Sequence, residues 1–186
     1  IMHYINRSIL YPLRMNRDAS PMPISVAAMA FLFTSWNALM QSLSLAIVNC
    51  NTTQENQEDG FKFRFNVGIV VFFICFIINF HADSVLLRLR QKRNNNHNTT
   101  RNSVSVQRYS IPRGGMFEYV SCANYFGEIL EWTGFAIASA SWAGVAFALY
   151  TFCNLGPRAY HHHMWYQTKF EDYEKLNRKA VIPFVL

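Results

Sequence analysis

The feature that most constrains this chain is the run Ile24–Val48, which is 25 residues long and contains no Asp, Glu, Lys or Arg. At a rise of about 1.5 Å per residue, a helix of this length crosses a bilayer core of about 30 Å. Charged residues make up 15% of the chain, well below the roughly one quarter that is usual in soluble domains. The run therefore predicts a transmembrane helix.

Further apolar segments extend this prediction, and the last two are joined by a predicted tight turn at residues 139–141. They are residues 1–10, 65–80 (continuing to 87), 117–140 and 142–155. We read them as membrane helices, so the predicted fold class is all-α, a polytopic transmembrane helix bundle. We expect one membrane-embedded domain over residues 1–186. Because the chain starts at Ile1 in the middle of an element, we also expect a fragment whose N-terminal part is missing.

The charges lie in blocks between the apolar segments. Residues 49–60 carry three acidic side chains and no Lys or Arg, whereas residues 88–115 carry seven Lys and Arg and no acid. The positive-inside rule then places the basic segments and the basic C-terminal tail in the cytosol. Residues 91–107 are Asn-rich and predict a flexible cytosolic insertion. The net charge of +6 therefore indicates membrane orientation, and no nucleic-acid partner is predicted.

Neither a metal site nor a disulfide framework is predicted. The four cysteines are scattered without CxxC spacing, and we expect them to be buried free thiols. The three adjacent histidines at 161–163 are internal, so they are not a terminal tag. Adjacent positions on one helix do not readily share a metal ion, because i, i+4 spacing is needed.

Polar side chains recur at helical spacing in four segments. The four stripes are Tyr4, Arg7 and Tyr11; Asn79, Asp83 and Arg90; Asn124, Glu128 and Glu131; and Arg158, His162 and Tyr166. Ionisable residues in membrane helices are costly and are functional candidates by default. The stripes predict an internal cavity that opens toward the basic side, with hydrogen bonding between helices as the alternative.

The residue types in these stripes favour a phosphorylated ligand. Guanidinium groups pair with phosphate, and carboxylates and amides bind hydroxyl and amide groups. No GxGxxG motif is present, so a Rossmann site is not supported. The sequence PRGG at 112–115 precedes a predicted helix and offers backbone N–H groups to a phosphate.

The stretch YSIPRGGMFEYVSCANYFGEILEWTGFA at 109–136 closely resembles the steroid 5-alpha-reductases, also called 3-oxo-5-alpha-steroid 4-dehydrogenases. Shorter stretches at 3–13, 78–90, 158–173 and 178–186 agree with it. The resemblance implies a seven-helix enzyme of the endoplasmic reticulum membrane that uses NADPH. This chain would hold the later helices and lack the first two.

The reaction that the resemblance implies is hydride transfer from NADPH to C5 of a 3-oxo-4-ene steroid. Tyr4 matches the family's tyrosine that polarises the C3 carbonyl, and a neutral phenol is suited to donate this hydrogen bond. In the family, a glutamate on an earlier helix partners this tyrosine, and it is not in this chain. We therefore expect the chain alone to be inactive.

The resemblance also implies binding residues. Those implied for NADPH are Arg17, Asn79, Asp83, Arg90, Tyr109, Asn124, Glu128, Arg158, His162 and Tyr166. Those implied for the steroid are Phe33, Trp132 and Tyr150. Of the three histidines, His162 is the expected cofactor donor, while His161 and His163 are expected to be packing or interfacial residues. Met29 and Asn154 depart from the family pattern, which leaves the identity of the steroid open.

Three other functions stay open. The first is a related membrane ene-reductase that acts on a polyprenal or an enoyl lipid, although the PRGG and GEILEW stretches favour a steroid. A non-catalytic membrane interaction protein and a metal enzyme are the remaining alternatives. For the favoured function the expected partners are an apolar enone and the lipid bilayer, and we expect a monomer with its cofactor site facing the cytosol.

Overall fold

The computed structural model describes residues 2–15, 22–52, 58–99 and 109–185. Within these ranges the regular elements are helical, apart from one isolated bridge between Val120 and Lys179. The helices are α1 (Met2–Ile5), α2 (Tyr11–Arg14), α3 (Ile24–Thr52), α4 (Glu58–Thr99), α5 (Ala123–Ser139) and α6 (Trp142–Lys169). The all-α prediction is confirmed.

Two of these helices are long and apolar enough to cross a membrane. Ile24–Val48 in α3 has a mean hydropathy of 1.3, and Gly60–Lys92 in α4 has a mean hydropathy of 2.2. Both correspond to predicted spans, whereas the complete polytopic bundle stays a prediction. Helix α4 continues to Thr99, so the first part of the predicted flexible insertion is helical. Residues 100–107 of that insertion lie outside the described residues.

A single π-helical turn, Asn6–Leu10, separates α1 from α2. Its hydrogen bonds run from residue i to i+5, whereas those of an α-helix run from i to i+4. Pro12 sits at the start of α2, where its missing N–H costs nothing. The π turn shifts the helical phase, so the predicted stripe of Tyr4, Arg7 and Tyr11 does not stay on one face.

Helix α5 begins at Ala123, whereas the sequence predicted an apolar span from residue 117. Gly114 and Gly115 have positive φ angles of 93° and 59°, which glycine adopts at little cost. A 3-10 turn follows at Gly115–Glu118. The Ser121 N–H then donates to the Lys179 carbonyl at 2.8 Å. This pairing with the tail delays the start of the helix.

Helices α5 and α6 are joined by the tight turn that was predicted at residues 139–141. Ala140 has a φ of 49°, and the Ser139 and Ser141 hydroxyl oxygens lie 3.1 Å apart. The Gly144 N–H donates to Ser141 Oγ at 3.0 Å. Ser141 is therefore the N-cap of α6, because its hydroxyl satisfies a donor of the first turn.

The chain forms two compact units. The first comprises Ile1–Ala19, Phe76–Gly127 and Leu155–Leu186. Its hydrophobic core contains Ala82, Phe117, Val120 and Ala123, which are all at least 99% buried. Glycine also permits a close helix contact within this unit, because a Cβ at Gly127 would lie 2.7 Å from the Asn79 backbone nitrogen.

The second unit comprises Ser20–Cys75 and Glu128–Asn154. Here α4 and α5 pack backbone to backbone, since a Cβ at Gly134 would lie 2.6 Å from the Phe72 nitrogen. Close approach through small residues is typical of helix pairs in membranes. Helix α3 is tied to α6 by Gln41, whose side-chain N–H donates to the Ala143 carbonyl at 2.9 Å.

Candidate functional site

The first unit contains a cavity of about 370 Å³. Its charged and polar side chains come from the π turn, from helices α2, α4, α5 and α6, and from the segment before α5. This volume lies within the range of small-molecule sites. Its polar lining consists of Arg7, Tyr11, Asp83, Arg90, Ser121, Asn124, Tyr125, His162 and Tyr166. Leu86, Phe117 and Cys122 complete the wall.

Five of the predicted cofactor residues line this cavity. They are Asp83, Arg90, Asn124, His162 and Tyr166. The first two come from α4, the third from α5 and the last two from α6. Arg7 and Tyr11 also line it, so the structure brings together one or two members of each of the four predicted stripes.

Asp83 is the buried anion of the cavity, with 2% of the residue exposed. Arg7 Nη1 lies 2.8 Å from Asp83 Oδ2 and forms a salt bridge with it. Arg90 Nη1 donates a long hydrogen bond of 3.4 Å to the Tyr11 hydroxyl. Arg7 and Tyr11 belonged to a predicted stripe but were not predicted as binding residues. Arg7 and Tyr11 lie four residues apart, about one helical turn, and this spacing was the sequence feature that could have identified them as binding residues.

His162 projects into the cavity beside Tyr125, with 6.0 Å between the ring centroids. Burial lowers the pKa of His162, and the nearby charges of Arg158 and His161 lower it further. The imidazole is therefore neutral near pH 7 and keeps one N–H to donate. Arg158 is exposed one helical turn away and is not among the lining residues.

Tyr166 lies one turn beyond His162 and is half-buried in the cavity wall. Its ring stacks on Tyr173 with 5.1 Å between centroids and an interplanar angle of 11°. Burial, the largest cause, raises the pKa of Tyr166 to about 12. The phenol therefore stays protonated at physiological pH and can act as a hydrogen-bond donor.

The other predicted cofactor residues lie outside the lining of this cavity. Asn79 is 2% exposed and packs against Gly127. Tyr109 is 38% exposed and meets Trp165 edge to face at 5.1 Å. Glu128 belongs to the second unit. Arg17, which was also predicted to bind the cofactor, lies outside the described residues.

The predicted catalytic residue, Tyr4, is on α1 and is 37% exposed. Its ring meets that of His3 edge to face at 5.5 Å. It is not among the residues that line the polar cavity. The π turn between Tyr4 and Tyr11 explains this, because it rotates Tyr4 off the face that Arg7 and Tyr11 share.

The PRGG loop does not present a free phosphate site at Gly114. The Gly114 N–H donates to Glu118 Oε1 at 2.7 Å. This hydrogen bond is the main reason that the pKa of Glu118 is lowered, and Arg178 and Arg113 contribute. Arg178 is buried and donates to the Pro112 carbonyl at 2.9 Å. The loop is therefore held by a carboxylate and the tail, and the Gly114 N–H is engaged within the protein. A phosphate at this loop stays a prediction.

His163 makes a specific hydrogen bond that the sequence analysis missed. Its Nδ1 lies 2.6 Å from Ser121 Oγ, and the Tyr173 hydroxyl donates to the same oxygen at 2.7 Å. Burial and the charge of Lys179 lower the pKa of His163. His163 was expected to be a packing or interfacial residue, and it makes this specific polar contact as well. The spacing of residues along α6 could not predict this contact, because Ser121 lies 42 residues away in the sequence.

The second unit contains an aromatic cluster that includes the three predicted substrate residues. Trp132 meets Phe147 edge to face at 4.6 Å, and Phe33 lies 5.0 Å from Tyr150. Phe147 also contacts Phe33 and Tyr150, at 6.5 and 6.2 Å. Phe147 was not predicted, although it lies three residues before Tyr150 on the same helix.

The cysteines differ partly from expectation. None of the four, which all lie in the described ranges, forms a disulfide, but only Cys75 and Cys122 are buried, whereas Cys50 and Cys153 are exposed. Burial raises the pKa of Cys122 to about 12, so this cavity residue stays a thiol. Within the described ranges, no group of three or more His, Cys, Asp or Glu side chains is arranged to hold a metal ion.

Comparison with known proteins identifies similar chains over the whole length of the sequence. The family described as 3-oxo-5-alpha-steroid 4-dehydrogenase matches residues 20–186. Steroid 5-alpha-reductase DET2 of Solanum lycopersicum is 43% identical over 188 residues, which cover 100% of this chain and 66% of the relative.

Two further relatives match this chain to a similar extent. DET2 of Arabidopsis thaliana is 42% identical, with 100% of this chain and 67% of the relative covered. The human 3-oxo-5-alpha-steroid 4-dehydrogenase 1 is 41% identical, with 100% of this chain and 64% of the relative covered. The chain thus spans about two thirds of the length of these relatives.

Proposed function

Because the chain belongs to the 3-oxo-5-alpha-steroid 4-dehydrogenase family, we propose that the protein containing it reduces the 4,5 double bond of a 3-oxo-4-ene steroid. The product is the 5-alpha-steroid, and the reductant is NADPH. The proposal concerns the full-length protein, since this chain spans about two thirds of its relatives.

The observation that carries the proposal is the composition of the polar cavity. Two guanidinium groups, Arg7 and Arg90, lie in it together with the Asp83 carboxylate and the Asn124 amide. Guanidinium groups suit the phosphates of a dinucleotide, and the acceptor and amide groups suit its hydroxyl and carboxamide groups. This donor set fits NADPH better than it fits an apolar ligand.

NADPH, when bound, supplies the hydride that reduces C5, and C4 takes up a proton. The work of this chain is to bind the cofactor and to polarise the enone. In the proposal, the Tyr4 hydroxyl donates a hydrogen bond to the C3 carbonyl oxygen as negative charge develops there. His162 and Tyr166 donate to the cofactor as neutral groups. Asn79, Tyr109 and Arg158 are proposed to support the pocket from outside the residues that line it. Glu128 and Arg17 are proposed as further cofactor residues.

The aromatic cluster of the second unit is proposed to bind the steroid. Phe33, Trp132 and Tyr150 pack with Phe147 through ring contacts of 4.6 to 6.5 Å. A flat, apolar ring system buries its surface well against such side chains. Met29 and Asn154, which depart from the family pattern, belong to the same unit, so the proposal names a class of steroids and no single one.

We place the enzyme in the endoplasmic reticulum membrane, with several spans and the cofactor site toward the cytosol. Helices α3 and α4 supply the two candidate spans, and α5 with the first part of α6 supplies two more in the proposal. The seven Lys and Arg at residues 88–115 favour the cytosolic orientation. The enzyme is proposed to act as a monomer.

A conversion assay tests the function. The full-length protein, expressed in membranes that lack this activity, is incubated with NADPH and a 3-oxo-4-ene steroid such as testosterone or progesterone. We expect the 5-alpha-reduced product by mass spectrometry. Reduction of a polyprenal or enoyl lipid in place of every steroid would replace the substrate class. Binding of NADPH without turnover of either class would favour a non-catalytic protein.

A further inference from the structure

Tyr173 is a fully buried residue, 1% exposed, in the segment that follows α6. It does not line the polar cavity, but it contacts two residues that do, Ser121 and Tyr166. These two come from different parts of the chain, the segment before α5 and the last turns of α6. One buried side chain therefore joins two walls of the cavity.

The first contact is a hydrogen bond. The Tyr173 hydroxyl donates to Ser121 Oγ at 2.7 Å, and both groups are buried. Burial raises the pKa of Tyr173 and outweighs the opposing effects of Ser121 and Arg178. The phenol therefore keeps its proton and stays a donor at physiological pH.

This hydrogen bond restricts the orientation of the Ser121 hydroxyl. A serine hydroxyl has one proton to donate and two acceptor positions. Tyr173 occupies one acceptor position, while the Lys179 carbonyl at 3.1 Å and His163 Nδ1 at 2.6 Å take up the remaining directions inside the protein. Ser121 is thus held in one orientation in the cavity wall, with its hydroxyl bonded inside the protein.

The second contact is the parallel stack of Tyr173 on Tyr166, with 5.1 Å between centroids. Two further groups lie near the Tyr173 ring: the His163 ring meets it at 5.9 Å, and the Arg178 guanidinium carbon lies 5.9 Å from its centroid. Tyr173 therefore has little freedom to move, and Tyr166 is held by a rigid surface.

We propose that Tyr173 is a positioning residue for the cofactor, which fixes Ser121 through its hydroxyl and Tyr166 through its ring. The inference rests on the proposed function, since it takes the polar cavity to be the NADPH site. Tyr173 acts on the affinity for NADPH through these two residues and does not touch the reacting atoms.

Conservative variants of the full-length enzyme test this. Tyr173→Phe keeps the stacked ring and removes the hydroxyl, while Ser121→Ala removes the acceptor. We expect each to raise the KM for NADPH about fivefold, the effect of one neutral hydrogen bond, with little change in kcat. The double variant should resemble either single variant, because both remove the same hydrogen bond. Tyr173→Leu, which also removes the stack, should raise the KM further.

Lys175→Ala is the matched control, because Lys175 lies in the same segment and pairs with Asp172 at 2.6 Å, where both side chains are exposed. Its KM should equal that of the wild type. An unchanged KM for NADPH in Tyr173→Phe, or strictly multiplicative effects in the double variant, would overturn the inference while leaving the proposed function intact. If the wild type itself neither binds nor uses NADPH, both are overturned.

Discussion

Arg7 Nη1 lies 2.8 Å from Asp83 Oδ2 across 76 residues of sequence. The Asp83 side chain is 3% exposed and that of Arg7 is 34% exposed. The pair joins the π turn near the start of the chain to α4, at the wall of the polar cavity. The salt bridge therefore stabilises the first unit, and it also compensates the buried negative charge in the cavity wall.

We expect Arg7→Gln to lower the free energy of unfolding by about 1–2 kcal/mol, because a buried carboxylate loses a charged hydrogen-bond partner that is itself partly exposed. Thermal unfolding in detergent measures the effect. Arg88→Gln, an exposed arginine on α4, is the control and should unfold like the wild type. Equal losses in the two variants would contradict a specific role for Arg7.

Tyr4→Phe should reduce turnover of the steroid at least about 100-fold, the usual scale for loss of a catalytic proton donor. The affinity for NADPH should stay within about twofold of the wild type, since Tyr4 does not line the polar cavity. Product formation and NADPH titration give the two numbers. Tyr160→Phe, which alters an exposed tyrosine of α6, should leave both unchanged. Full activity in Tyr4→Phe would rule out the proton-donor role.

The neighbouring histidines provide a matched comparison. His162 lines the polar cavity and His161 does not, although the two are adjacent on α6. We expect His162→Ala to raise the Kd for NADPH about tenfold, the scale of a hydrogen bond to a charged group. His161→Ala should leave the Kd unchanged. A larger effect at position 161 would show that the cofactor lies elsewhere.

Gly127→Ala should destabilise the first unit by about 1–3 kcal/mol, because overpacking a close helix contact forces the backbones apart. The added Cβ would meet the Asn79 nitrogen at 2.7 Å. Gly60→Ala is the control, since nothing lies within 4 Å of a Cβ at that helical position. That change should be neutral or slightly stabilising. Thermal unfolding in detergent distinguishes the two variants.

Acid should destabilise the first unit through His162 and His163. Burial lowers the pKa of both in the folded state, whereas the unfolded value is about 6.5. The unfolded chain then binds more protons, so stability is full above about pH 6.5 and falls as the pH drops from there toward the lower folded pKa values. Melting temperatures from pH 8 to pH 5 measure this. In His163→Gln the decline should be shallower, and an identical decline would assign it to other groups.

The sequence predicts those features of the structure that depend on a local pattern of residues. The uncharged run in α3 and the apolar part of α4 are membrane-length helices because length and composition alone define them. Asp83 and Arg90 reach one cavity because seven residues of regular α-helix return to the same face. The same logic holds for His162 and Tyr166.

What the sequence did not predict depends on contacts between distant segments. Helix α5 starts late because Ser121 and Cys122 donate backbone hydrogen bonds to Lys179 and Ala180, and no local periodicity reports such pairing. The role of His163 is set by Ser121 in the same way. Tyr4 left its stripe because of the π turn, whose hydrogen bonding differs from that assumed by 3.6-residue periodicity.

The π turn also makes the length of this segment matter more than the identity of most of its side chains. Between Tyr4 and Tyr11 the winding is set by how many residues the turn contains, and each residue of an α-helix accounts for about 100° of rotation. Deleting Ser8, or inserting a residue beside it, would turn Tyr4 by about that angle relative to Tyr11. Deleting or inserting one residue in this segment would therefore move the Tyr4 hydroxyl, the proposed proton donor, to another face of the helix. The loss of activity should match that caused by replacing Tyr4.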